Sequence, residues 1–74
     1  MIGYTLHLQQ LNRKADKRKL GVRLGRYCIS MGIPVTDLVG MFGVSRQTVY
    51  NWFNGTHDLG PAQRTRAKEL FPHL

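Results

Sequence analysis

Apolar residues recur every three or four positions along most of this chain, a spacing that predicts α-helices. Four segments carry such a stripe: residues 17–31, 35–42, 46–54 and 61–71. The stripe of the first consists of Leu20, Leu24, Tyr27, Cys28 and Met31, and that of the last of Ala67, Leu70 and Phe71. Glycine follows each of the first three segments and Pro61 opens the fourth, and both are common helix boundaries. The sequence therefore predicts an all-α bundle of four to five helices.

Two glycines interrupt the first predicted helix at a spacing of four residues. Gly21 and Gly25 each lower helix propensity by about 1 kcal/mol relative to alanine. The same spacing would allow another helix or the N-terminal segment to approach the backbone closely. Val22 and Ile29 lie away from the main stripe, so we expect a further element or a second copy of the chain to cover them.

The first eleven residues follow a different pattern, since Ile2, Tyr4, Leu6 and Leu8 alternate with more polar or smaller residues. That is the period of a strand with one apolar face. We therefore expect an extended arm over residues 1–16, followed by a helical domain over 17–74. A lone strand needs a partner, and one hypothesis is a homodimer in which the arms of two copies pair. The alternative is an unstructured tail.

Residues 35–55 predict two short helices joined by a tight turn. Ser45 suits the N-cap of the second helix, and Gly55 suits the left-handed position that follows a helix. Val49, Trp52 and Phe53 share one face, which must be buried. Two helices joined by a short glycine-containing turn are typical of helix-turn-helix DNA-binding proteins.

The outer face of helix 46–54 carries hydrogen-bonding groups and no acid. Arg pairs well with guanine, and Gln or Asn with adenine, in the DNA major groove. We predict that the base-reading residues are Arg46, Gln47, Tyr50 and Asn51. We also predict phosphate contacts from the basic N-terminal region and from both ends of the helix: Lys14, Lys17, Arg18, Ser45, Thr48, Asn54 and Thr56.

Segment 33–55 resembles the helix-turn-helix of lambdoid phage repressor and Cro proteins and their bacterial relatives, the XRE-like regulators. The shared residues are Leu38-Val39, Gly43-Val44-Ser45, Val49 and Asn54-Gly55. The resemblance implies that Arg46, Gln47 and Asn51 face bases and that Asn54 reaches a phosphate. One departure is Val35, which stands where family members usually carry a glutamine that braces the reading residues.

The amino-acid composition indicates which class of binding partner to expect. Eleven Lys and Arg against four Asp and Glu give a formal net charge of +7 in 74 residues, which favours a polyanion. Nucleic acid is the leading candidate, ahead of an acidic protein surface or an anionic membrane. The single Cys28 excludes an internal disulfide, and no apolar run has the length of a membrane span. We expect a cytoplasmic protein of a bacterium or a phage-infected cell.

No set of residues predicts catalysis. The histidines at 7, 57 and 73 are scattered, and neither metal-ligand spacing nor a phosphate-binding glycine loop is present. Cys28 lies on an apolar face, where a buried thiol is the usual outcome. We therefore expect no enzyme, no metal and no cofactor.

The sequence thus favours a small transcriptional regulator, such as a repressor, that binds specific double-stranded DNA. Two alternatives stay open. One is a phage protein-interaction module or inhibitor that docks on a host protein such as RNA polymerase, and the other is a recombination or architectural accessory protein. The Trp52-Phe53 pair also resembles the third helix of homeodomains, but Asn54-Gly55-Thr56 replaces the basic residues that follow there.

Overall fold

The computed structural model of the chain describes residues 4–74, and these form five α-helices and no strand. In chain order they are α1 (Leu6–Lys14), α2 (Leu20–Met31), α3 (Val35–Phe42), α4 (Arg46–Phe53) and α5 (Pro61–Leu70). The predicted all-helical fold is confirmed, and α3 has the predicted bounds. Helix α2 begins three residues later than predicted, and α4 and α5 each end one residue earlier.

Helix α1 replaces the strand that the alternating pattern predicted, so that prediction is wrong for this part of the chain. The hydroxyl of Thr5 caps the helix by accepting a hydrogen bond from the amide of Leu8 at 3.2 Å. Tyr4, Leu8 and Asn12 are four residues apart and all are buried. Leu6, which the alternation placed with them, is 70% exposed. The helical period prevails because it buries these three side chains on one face.

One hypothesis was that strands of two copies pair through this segment. Because Leu6–Lys14 is a helix, these residues do not form such a strand. Residues 1–3 lie outside the described residues, and for them the arm stays a prediction. Instead of extending away, α1 packs against both α2 and α4. Leu8 of α1 and Tyr4, just before it, belong to the same hydrophobic core as side chains of the other helices.

The centre of the fold is the packing of α2 against α4, the most extensive helix pair in residues 4–74. A Cβ added to Gly21 would lie 2.9 Å from the Cβ of Trp52, and one added to Gly25 would lie 2.7 Å from the ring of Phe53. Both glycines are therefore required by close approach, as their spacing predicted. A Cβ added to Gly25 would also lie 2.7 Å from the Nδ2 of Asn12. Both α1 and α4 therefore pack against the side of α2 that carries the two glycines.

Asn12 is a polar residue in this core and joins three helices. Its side chain is 2% exposed, and its Nδ2 donates to the carbonyl of Val22 at 3.1 Å and to that of Phe53 at 2.7 Å. Since a helix leaves its last carbonyls without internal donors, the bond to Phe53 satisfies one such group at the end of α4. Val22, for which cover was predicted, is fully buried; Asn12 of α1 bonds to its carbonyl, and its Cγ2 lies close to Gly55.

The remaining helices complete the core from the other side. Phe42 of α3 meets Trp52 edge-on at 5.4 Å between ring centroids, and Tyr27 meets Phe71 after α5 at 5.6 Å. Leu59 is buried, as predicted. Met31 is 62% exposed, so its predicted place in the core is wrong, because the buried stripe of α2 ends one turn earlier, at Cys28. None of the helices in residues 4–74 combines the length and hydropathy needed to cross a membrane.

Candidate nucleic-acid interface

Helix α4 is fixed at both ends by the residues that the sequence singled out. The hydroxyl of Ser45 accepts from the amide of Thr48 at 3.2 Å, which caps the N-terminus. Gly55 has a φ of 82°, a left-handed conformation in which a Cβ is strained. Val49 and Phe53 are fully buried. The inner face and the two ends together hold the helix in one orientation.

The outer face of α4 presents the four predicted base-reading residues. Arg46 and Gln47 are exposed, whereas Tyr50 and Asn51 are half-buried. The Gln47 Nε2 donates to the Asn51 Oδ1 at 3.0 Å, a link between residues one turn apart. That bond leaves the Oε1 of Gln47 as an acceptor and the Nδ2 of Asn51 as a donor. The pair therefore offers both kinds of polar group at one place on the surface.

The polar residues at the two ends of α4 already serve the fold. The hydroxyls of Ser45 and Thr48 lie 2.9 Å apart and share a hydrogen bond. The Oδ1 of Asn54 accepts from the amide of Thr56 at 2.9 Å and so shapes the turn after the helix. Each of these groups keeps unused hydrogen-bonding capacity. The phosphate contacts of these four residues stay predictions.

The sequence reasoning missed that α1 lies directly beside the outer face of α4. A groove of about 270 Å³ separates them, and it is lined by Thr5, His7, Leu8, Leu11, Tyr50 and Asn54. Lys14 lies one turn beyond Leu11 on the same side of α1. The signal for this helix was the Thr5 cap together with the four-residue spacing of buried positions, which the alternation of Leu6 and Leu8 obscured.

The loop after α4 is held by the start of α2. The ammonium group of Lys19 donates to the carbonyl of Gly55 at 2.7 Å. The Asp58 Oδ1 accepts from the amide of Gly21 at 2.9 Å, so a carboxylate from the loop caps α2. The Asp58 Oδ2 pairs with Arg64 at 2.8 Å. The position of residues 55–59 relative to α4 is thus fixed.

The pKa of Asp58 reflects these contacts. Partial burial disfavours its charged form, but the amides of Gly21 and Leu59 and the charge of Arg64 more than offset that cost. The net result is a pKa below the usual range of an aspartate. The carboxylate is therefore ionised at neutral pH and stabilises the loop in that form.

The predicted basic phosphate contacts separate into two places. Lys14 lies on the side of α1 that faces α4. Lys17 and Arg18 instead lie beside the outer face of α2, where their carbonyls accept from Arg23 at 3.3 and 2.9 Å. Arg18 is also paired with Asp16 at 3.1 Å on the surface. Their neighbours Ala15 and Lys19 contact Gly55, directly after α4, so this segment lies between the outer face of α2 and the end of α4.

Two titratable side chains, those of Cys28 and Tyr4, are buried in the core. Burial raises the pKa of the Cys28 thiol to about 12. Burial likewise raises the pKa of Tyr4, whose hydroxyl donates to the carbonyl of Ile33 at 2.6 Å. Within the described range, 4–74, no group of three His, Cys, Asp or Glu side chains has a geometry that could hold a metal ion.

The outer face of α4 is thus a firmly held surface of donors and acceptors, bordered by α1 and by the loop 54–57. Comparison with protein-family models, curated proteins and solved structures found no match to this chain. Its function is therefore inferred from the chemistry of its surface.

Proposed function

We propose that this protein binds specific sequences in double-stranded DNA as a small transcriptional regulator of a phage or bacterium, with α4 as the helix that reads the major groove. The observation that carries the proposal is the outer face of a short, doubly capped helix with Arg46, Gln47 and Asn51 in reach of solvent and no acid among residues 46–54. A major groove about 12 Å wide admits one α-helix. We further propose that α3, the turn at 43–45 and α4 form a helix-turn-helix of the lambdoid repressor and Cro class.

In this proposal each side chain has a distinct role in the groove. Arg46, in the first turn, donates to a guanine. The bond between Gln47 and Asn51 presents an acceptor and a donor together, which suits the N6 and N7 edge of adenine. Ser45 and Thr48 place the amides of the helix N-terminus beside a phosphate, where the helix dipole favours negative charge. Lys14, from α1, adds a phosphate contact at the other border.

A second function is favoured by one specific observation, the apolar groove between α1 and α4. Tyr50 lines this groove, Leu11 is 37% exposed at its rim, and Leu6 is 70% exposed on the same helix. Exposed aromatic and apolar side chains are common anchors of protein interfaces. The alternative is therefore a protein-interaction module that presents the same face to a host protein such as RNA polymerase. An architectural or recombination accessory role would use α4 as the regulator does.

The test is a selection of random DNA duplexes on the purified protein, followed by titration of the selected and a scrambled duplex at two salt concentrations. The proposal predicts a recovered motif that binds at least about 1,000-fold more tightly than the scrambled duplex. An inverted repeat with half-sites about 34 Å apart would establish a dimer on DNA. No enrichment, with weak binding that salt abolishes, would refute the regulator and direct attention to a protein partner.

A further inference from the structure

Helix α1 is fixed beside α4 by contacts just before it, within it and just after it. The rings of Tyr4 and Phe53 are 5.7 Å apart between centroids. The Nδ2 of Asn12 donates to the carbonyl of Phe53 at 2.7 Å. A Cβ added to Gly55 would lie 3.1 Å from that of Ala15. The two helices therefore keep one relative position, and a duplex bound by α4 lies close to α1.

One side of α1 borders the outer face of α4 and carries exposed side chains. His7, Leu11 and Lys14 recur at i, i+4 and i+7, so they lie on one side of the helix. All three are exposed, and together they are here called the α1 rim. His7 and Leu11 line the groove of about 270 Å³ whose other wall includes Tyr50 and Asn54 of α4. The α1 rim thus stands next to the predicted base-reading residues.

The width of the DNA major groove decides what the α1 rim would meet. An α-helix with its side chains is about 10–12 Å across, and the major groove is about 12 Å wide. The axes of packed helices lie about 8–10 Å apart. The major groove therefore admits α4 but not both helices side by side. With α4 in the groove, α1 lies over the sugar-phosphate strand that borders it.

The charge of this part of the surface suits a phosphate strand. Neither α1 nor α4 contains an acidic residue. The acids that follow these helices in the chain, Asp16 and Asp58, are paired with Arg18 and Arg64. Lys14 adds an exposed positive charge to the end of the α1 rim. A strand of phosphates is attracted to such a surface whatever its base sequence.

We propose that the α1 rim and the groove beside it bind the sugar-phosphate strand that borders the major groove read by α4. This inference rests on the proposed function and adds contacts that it does not assign. His7 and the hydroxyl of Tyr50 donate to phosphates, and Leu11 packs against a deoxyribose. Tyr50, for which the sequence predicted a base contact, thus contacts the backbone. These contacts position α4 and carry no sequence preference of their own.

The arrangement of apolar residues on α1 favours a DNA strand over a protein partner in this groove. Protein interfaces are centred on apolar or aromatic anchors and deplete lysine at their core. Leu11 is 37% exposed, but His7 and Lys14 flank it one turn away on either side. Leu6, 70% exposed, lies about 140° around the helix from Leu11 at 100° per residue. The two leucines therefore do not form one apolar patch.

The test replaces single phosphates of the selected motif duplex by neutral methylphosphonates and measures the affinity for each modified duplex. Wild type should bind about threefold or more weakly where a contacted phosphate is replaced. Lys14→Gln should bind motif and scrambled duplexes more weakly by a similar factor, and it should lose nothing further at the phosphate that Lys14 contacts. Its slope of log affinity against log salt should flatten by about 0.9, the value for one phosphate contact. His7→Ala and Tyr50→Phe should each become insensitive to replacement of a phosphate of the same strand.

The matched control is Arg13→Gln, which removes the same charge from the neighbouring position of α1. Arg13 is turned toward α2, where it lines another groove together with Arg26 and Ile29. This variant should keep the full sensitivity of wild type to each phosphate of the strand. Equal loss of sensitivity in Arg13→Gln and Lys14→Gln would overturn the inference, because the position of the charge would then not matter.

The remaining outcomes separate this inference from the proposed function. A selected motif with no phosphate whose effect depends on His7, Lys14 or Tyr50 would overturn the contact with α1 and leave base reading by α4 intact. Failure to select any motif would refute the proposed function and this inference with it.

Discussion

Asn12 offers the most informative single perturbation of the fold, because one side chain holds α1 against both α2 and α4. The amide donates to the carbonyls of Val22 and Phe53 at 3.1 and 2.7 Å and is almost fully buried. Asn12→Ala removes both donors and leaves space beside Gly25. Helix α1 then loses its polar connection to the helix that we propose reads DNA.

The magnitude follows from the two carbonyls. The carbonyl of Val22, in the first turn of α2, keeps the helical hydrogen bond from four residues on. The carbonyl of Phe53 lies in the last turn of α4 and has no such donor, so its desolvation costs about 1–3 kcal/mol. With the lost side-chain volume, we expect Asn12→Ala to lower the free energy of unfolding by about 2–4 kcal/mol. A chain of this length has roughly 4–11 kcal/mol in total.

The assay is urea unfolding, followed by the fluorescence of the single Trp52 and by circular dichroism of the helices. Trp52 is 3% exposed, so its emission reports loss of the core. The expected fall in melting temperature is roughly 10–30 °C. Gln10→Ala, at an exposed position of the same helix, is the control and should change stability by less than about 0.5 kcal/mol. A loss below about 1 kcal/mol for Asn12→Ala would refute the account of how α1 is held.

A second substitution at the same site tests the direction of the hydrogen bonds. Asn12→Asp keeps the shape but turns an oxygen toward two carbonyl oxygens, while Arg26 reaches only the backbone carbonyl of Asn12. Burial and these carbonyls raise the folded-state pKa of the introduced carboxyl above the unfolded value of about 3.9. Its stabilising contribution is therefore present below that value and lost as the pH rises through the folded pKa. The variant should approach wild-type stability near pH 4 and fall behind it at pH 7, and a gap that is constant with pH would contradict this.

Further predictions concern the close helix packing and the loop. Gly25→Ala places a Cβ 2.7 Å from the buried ring of Phe53 and should cost about 1–3 kcal/mol in urea unfolding, whereas Gly40→Ala, with open space around it, should stabilise α3 by about 0.5–1 kcal/mol. Equal effects at the two glycines would contradict the packing. Asp58→Ala removes the cap at Gly21 and should cost about 1 kcal/mol at pH 7. Because the pKa of Asp58 is lowered by folding, its contribution is present above the unfolded value and lost as the pH falls through the folded value. In acid unfolding experiments, the difference between wild type and Asp58→Ala should shrink as the pH falls below the unfolded value of about 3.9 and vanish below the folded pKa.

Local signals were sufficient to predict α3 and α4. Pro34, Gly43, Ser45 and Gly55 mark their ends by backbone chemistry that acts within a few residues, and the structure places boundaries at each. The burial of Val49, Trp52 and Phe53 follows from their spacing alone. Such features need no knowledge of the rest of the fold.

Features that depend on tertiary packing were harder to predict. The pattern of the first eleven residues is compatible with both a strand and a helix. The helix is favoured because it buries Asn12 against Gly25 and Phe53, which are distant in the sequence. The phosphate contacts predicted for Lys17 and Arg18 rest on their charge alone. Their position relative to α4 depends on which side of α2 packs against α4, and a sequence pattern does not specify that. The Gly21 and Gly25 pair indicated the side but not its partner.

The most direct test of the central claim, that α4 reads bases, is a set of affinities of wild type and Arg46→Ala for the selected motif and each of its single-base-pair variants. We predict that wild type prefers one base pair over the others by about 1–3 kcal/mol at the position that Arg46 contacts. Arg46→Ala should lose this preference at that position and keep the preferences at the other positions of the motif. Equal loss of affinity on every duplex, including random DNA, would mean that Arg46 contributes only charge and would contradict the claim.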